Sequence, residues 1–407
     1  MGFLFRQFFK LIAMAVTITS TVDPIYFTRN PIEVELHTDE TWASTLRIIC
    51  EVKVELVYDS STYVLIATHS STPDSATNKS KFRLDKILDS AFYEALEFPD
   101  YNGTIPNTAI DGGYSDNHIK RVTIRFADNG GDPFATYDFL VIHGGMSFQK
   151  FYEYDWLNQY AVHNRFFTWL GAKKTIPTLY EYVTWLCPVA EIYKLRVVVN
   201  TDQGTTFADR SGFTGVANRI YRFHSGFTQL GVEAIALAAF PGDPPPVIRS
   251  YDVQVIGITR SSEIFIYNMD FRHYMNLRKI SFINSPGGTD SMYFSGEEII
   301  RPEYTRTTFS RQLLAGYETK VGLRRQNRPF ENYGFRVNTG LKTRTEMDSI
   351  RELLLSEYIV LDTGTRFLPL ECTVKGGDLL SEKNNLNSFV LEFRYAFENI
   401  SYTPESV

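Results

Sequence analysis

Tyr251-Asp-Val-Gln-Val-Ile256, a break at Arg260-Ser261-Ser262, and Glu263-Ile-Phe-Ile-Tyr-Asn-Met269 read together as a β-hairpin. Apolar and polar residues alternate on both sides of a polar break, the period of strands with one buried face. The pattern returns at once in Arg278-Lys-Ile-Ser-Phe-Ile-Asn-Ser-Pro-Gly-Gly-Thr-Asp-Ser-Met-Tyr-Phe294, where Pro286-Gly287-Gly288 supplies the dihedrals of a tight turn. One helix interrupts the strands. Thr343 and Glu346 stand at capping-box spacing, and Met347, Ile350, Leu353 and Leu354 form one apolar stripe. Strands resume at Glu357-Tyr-Ile-Val-Leu361 and Phe367-Leu-Pro-Leu-Glu-Cys-Thr-Val374. At the end, Phe389, Leu391, Phe393, Tyr395 and Phe397 alternate with Val390, Glu392, Arg394 and Ala396.

Working outward, the preceding residues carry the same signals. Strands are expected at Thr45–Tyr58, Tyr63–Ala67, Lys120–Phe126, Thr136–Ile142, Tyr180–Leu186 and Leu195–Val199, and a helix at Phe82–Leu96. Val232–Phe240 fits either element. Phe240-Pro-Gly-Asp-Pro-Pro-Pro-Val247 breaks every pattern, because three successive prolines join neither a ladder nor a helix interior. The expectation is a mainly β chain of several sandwich- or barrel-like domains with a few short helices. Residues 14–130 form a β-rich domain, 131–240 an aromatic-rich β domain, 241–250 a proline-rich hinge, and 251–407 a β-rich domain with one helix. Residues 1–13 read as an upstream misassigned start or as a weak export signal, since Arg6 and Lys10 interrupt the apolar run.

Several segments occur in a familiar order: Phe282-Ile-Asn-Ser-Pro-Gly-Gly-Thr-Asp290, Leu353-Leu-Leu-Ser356, Leu368-Pro-Leu370 and Leu391-Glu-Phe-Arg-Tyr-Ala396. Asn30-Pro-Ile32 and Gly144-Gly-Met-Ser-Phe148 extend the set. The order resembles that of tail-tip and baseplate structural proteins of tailed phages that infect Bacteroidota-type hosts. The resemblance implies a distal-tail-like virion subunit, made in the host cytoplasm and resident in the tail. It implies self-assembly into a ring, docking of other virion tail proteins and a part in host attachment.

Composition excludes other classes. The 407 residues include 31 Phe and 24 Tyr, which favour strands and interfaces. A formal charge of −6 lacks the basic footprint of a nucleic-acid binder, and Arg324, Arg325 and Arg328 read as a solvated loop. Runs of about 18 apolar residues, as an ordinary membrane-spanning helix needs, do not occur, so no membrane insertion is expected. Cys50, Cys187 and Cys372 are far apart, giving neither a disulfide framework nor a zinc site.

No phosphate-binding loop, dinucleotide fingerprint, zinc-protease helix or nucleophile elbow occurs. The seven histidines are isolated, carboxylates such as Asp270 show no pairing, and Asp290 reads as closing its own turn. No catalytic, cofactor-binding or metal residue is therefore assigned, and a non-enzyme without cofactor is expected. The residues singled out are Tyr152, Tyr154, Trp156, Tyr160, Phe166 and Trp169, aromatics crowded into a short span. Such density serves a domain core, a subunit interface, or a platform for a host-surface glycan. Three rivals to the virion subunit follow: a receptor- or carbohydrate-binding module on the tail, a secreted bacterial surface-binding protein, and, third, an enzyme, which would need an exposed pair of carboxylates in a cleft.

Overall fold

A computed structural model describes residues 16–18, 25–38, 47–92, 113–114, 118–127, 133–147, 164–210, 212–274, 277–310, 312, 315–316, 324–374, 376 and 386–399. The chain is mainly β, with 52% of the described residues in strands and 9% helical, and has a multi-domain, β-sandwich-like architecture. It divides into two compact units, Met1–Glu97 with Ser115–Asn158, and Phe98–Tyr114 with Gln159–Val407.

In the first unit a five-stranded sheet runs in the order Ile25–Phe27, Pro133–Ile142, Ile119–Ala127, Ile48–Glu55, Tyr63–Ser71. A three-stranded sheet of Val16–Ile18, Glu33–Thr38 and Lys79–Arg83 accompanies it. Alternation builds the core. Ile48, Cys50, Val52 and Val54 share it with Val122, Ile124 and Phe126 from the first sheet and with Val34, Leu36 and Phe82 from the second. The expected helix at Phe82–Leu96 is shorter, since α1 spans Asp85–Ser90. Phe82 pairs with Val34 in the ladder, and burial on that face outweighs its place on a helical stripe. Residues 93–96 lie outside the described set.

The second unit holds a sandwich and a larger sheet. Ala172–Thr175, Phe265–Met269, Ile248–Ile256, Ile192–Thr201 and Thr205–Asp209 lie side by side, with Phe213–Thr214 also paired to Ile192–Thr201. Tyr182–Leu186, Ile220–His224 and Gly113–Tyr114 make a second sheet. Trp185, Tyr221 and Phe223 from the latter share one core with Tyr193, Val197, Tyr251, Val253, Phe265 and Tyr267 from the former. Helix α2, Val232–Ala239, adds Val232 and Ala236. Beyond it, seven strands run in the order Thr289–Phe294, Arg278–Ile283, Ile359–Asp362, Phe367–Cys372, Val390–Asn399, Arg324–Asn338, Glu298–Ser310. Helix α3, Arg344–Leu355, lays Met347, Ile350 and Leu353 on that sheet, as its stripe foretells, and its capping box is formed by Thr343 and Glu346.

Three expectations are corrected. Residues 130 and 131 mark no boundary, because Ile119–Ala127 and Pro133–Ile142 pair along their length. The prolines at 241–250 do not separate domains either. Ile248–Ile256 pairs with Ile192–Thr201 inside one sheet, so Tyr251–Met269 belongs to the sandwich. The loop is pinned where the Val247 amide donates to Asp202 Oδ1 at 2.8 Å and Gln203 Nε2 donates to the Pro244 carbonyl at 3.3 Å. Finally, Arg324 and Arg325 open the strand Arg324–Asn338 rather than a loop. Its register against Glu298–Ser310 slips between Thr305 and Thr307, and the irregularity accommodates Pro329.

Candidate functional site

Of the six aromatics singled out, Tyr152, Tyr154, Trp156 and Tyr160 lie outside the described residues. The remaining two do not act together. Phe166 is fully buried, bridges Trp185 in β-fashion and meets Phe265 edge-on at 6.4 Å. Its ring serves the sandwich core and presents nothing to a glycan or a subunit. Trp169 is 40% exposed.

Chemistry gathers instead where the Arg278–Phe294 hairpin lies against the sandwich. The tight turn is closed by Asn284, not by Asp290 as expected. The Gly288 amide donates to Asn284 Oδ1 at 2.7 Å, while Asn284 Nδ2 donates to the Phe167 carbonyl and to Asp290 Oδ2, both at 2.7 Å. Glycine is required at 288, where a Cβ would stand 2.2 Å from the Phe167 carbonyl oxygen. The docked turn sets Asp290 over Ala172–Thr175.

On that strand Lys173 pairs with Tyr267, so its side chain shares the inward face of a core tyrosine. Its ammonium is in direct ionic contact with Glu181 Oε2, lies 3.7 Å from Asp290 Oδ1, and donates to the Ser291 carbonyl at 3.1 Å. Thr175 Oγ1 donates to Glu181 Oε1 at 2.8 Å. Glu181 is wholly buried, and the side chains of Lys173 and Asp290 are 9% and 10% exposed. Loss of water pushes the Glu181 carboxyl up to about 7, although Lys173 and Thr175 pull the other way.

A second node lies nearby. Asp270 accepts from Arg272 Nε at 2.9 Å, from Tyr274 OH at 2.6 Å and from Tyr293 OH at 3.0 Å, and Lys174 Nζ stands 3.3 Å away. The bonds from Arg272 first, then those from the tyrosines, hold its carboxyl well below the usual range. Lys342 stands over the Tyr293 ring at 4.4 Å, and burial lowers its ammonium. Among the described residues no three His, Cys, Asp or Glu side chains form a group fit to hold a metal ion, and no helix is long and apolar enough to cross a membrane.

Lys173 and Glu181 escape sequence reading, because Ala172-Lys-Lys-Thr175 carries no apolar alternation. Their partners Asp290 and Ser291 arrive from far along the chain; only a lysine on the inward face of a strand would have been a clue.

No family model matches the chain, and no curated protein matches it. Among solved structures, the fibronectin(III)-like modules of Clostridium thermocellum CbhA match with 9% identity over 64% of this chain and 98% of that one, at a TM-score of 0.15. A likeness of that size carries no argument about what the chain does.

Proposed function

We propose that the chain is a structural subunit of a phage tail tip or baseplate, distal-tail-like, acting by self-assembly and by docking its neighbours. The observation that supports this most is the ribbon made by Glu298–Ser310 and Arg324–Asn338. Val390–Asn399 covers only its base, where Asn399 pairs with Glu331. Farther out, Thr305–Ser310 pairs with Arg324–Phe330, and among the described residues no third strand joins them. Every residue from Pro302 to Ser310 is exposed, Tyr304 and Phe309 included. A lone two-stranded ribbon is marginally stable in water and gains most from a third surface. Among the described residues no strand is paired to its outer side, and a sheet edge of that kind is a surface to which another chain can add.

Charge favours a second copy as that surface. Residues 306–328 hold six Lys or Arg and one Glu, a net of +5 in a chain of −6, which leaves −11 on the rest. Light scattering on a sizing column across a concentration series tests the proposal. A discrete closed oligomer supports it. A strict monomer at all concentrations, alone and with the other tail proteins, removes it.

A further inference from the structure

The contact of Lys173 with Glu181 and Asp290 contains the parts of a condensation. A primary amine lies between two carboxyl groups inside an aromatic core, with the Tyr267 ring 5.7 Å from Nζ and Tyr251 stacked on Tyr267 at 4.8 Å. Each group is fixed by something else. The Ser291 carbonyl steadies Nζ, Thr175 holds one oxygen of Glu181, and Asn284 with Thr168 holds Asp290 Oδ2, which leaves Asp290 Oδ1 toward the lysine. Reacting groups locked within about 3 to 4 Å of each other gain the rate advantage of an intramolecular step.

We propose that Lys173 and Asp290 condense to an intramolecular amide, with Glu181 as the proton carrier, fastening the strand Ala172–Thr175 to the strand Thr289–Phe294. Glu181 takes a proton from the Lys173 ammonium and passes it to the Asp290 carboxylate, and the free amine attacks Cγ of the neutral carboxyl. The nitrogen loses its second proton, again through Glu181, to the Asp290 hydroxyl, which departs as water. The Cγ–O bond breaks, the Nζ–Cγ bond forms, and one water leaves. An ammonium and a carboxylate become an amide and water, Glu181 ends as it began, and no oxidant or other reactant is consumed.

Burial drives the step in this direction. A lysine and a carboxylate in a dry interior owe a desolvation cost that their attraction barely repays, and the amide removes both charges. The carboxyl that must carry the proton is the most deeply buried of the three, and burial favours its protonated form. A salt bridge alone needs no second carboxyl on the lysine; a proton carrier does.

The test is the intact mass of the full chain in denaturant, beside Lys173→Arg and Glu181→Gln. The wild-type chain is expected to be lighter than its sequence by one water, and to yield a branched tryptic peptide joining Lys173 to Asp290. Both variants are expected at full sequence mass. A wild-type chain at full sequence mass overturns the proposal, whether or not the variants fold. So does a branch from Lys173 to Glu181 in place of Asp290, or a Glu181→Gln chain that still loses the water.

Discussion

Glu181 makes stability depend on pH in a direction opposite to most carboxylates. Its folded value is about 7 against an ordinary 4.5, so between those values the folded chain holds a proton that the unfolded chain has released. Stability therefore falls as pH rises through that window and levels off above it, by about 3 kcal/mol in all. Glu181→Gln should flatten the slope, read as melting temperature at about pH 5 against about pH 8; a variant that keeps the wild-type slope places the titration elsewhere. Asp270 runs the other way. Its carboxyl is held low by Arg272 and two tyrosines, so its contribution is present above the unfolded value near 4 and is lost as pH falls below it. Asp270→Asn is expected to cost about 3 kcal/mol near neutrality, because Lys174 and the two tyrosyl hydroxyls lose a charged acceptor. A urea midpoint unchanged from wild type would contradict that role.

Helix α3 shows how local signals become an element. Thr343 Oγ1 accepts from the Glu346 amide at 3.4 Å, and Glu346 Oε2 accepts from the Thr343 amide at 2.8 Å. Thr343→Ala should cost about 1 kcal/mol, seen as a lower urea midpoint with an unchanged slope. The box, the stripe and both hairpins of residues 251–294 were legible because each is written within a single short stretch of chain. What was not legible depends on distant partners. The prolines before Val247 look like a hinge until Ile248–Ile256 finds Ile192–Thr201. The strand Arg324–Asn338 hides because its outer half lacks the alternation that one buried face would impose. Lys173 gives no sign of burial, since its acceptor on Ser291 is 118 residues away.

At the scale of the whole molecule, the charge is unevenly spread, and the uneven part is the ribbon. In the assembly proposed above, the basic residues of the ribbon would pair with the acidic surface of another copy, and salt at 0.1 M screens charges more than about 10 Å apart. Arg306 and Arg324 are both exposed near the end of the described ribbon, so reversing them alters the surface without touching a core. The double change Arg306→Glu with Arg324→Glu should leave the melting temperature within a degree or two and shift the oligomer toward monomer. Dissociation should shift in the same direction when salt is raised on the wild-type chain, and the double variant should lose that salt response. If the variant assembles as the wild type does, with the same dependence on salt, the ribbon does not carry the contact and the acidic surface must be paired with something other than a second copy.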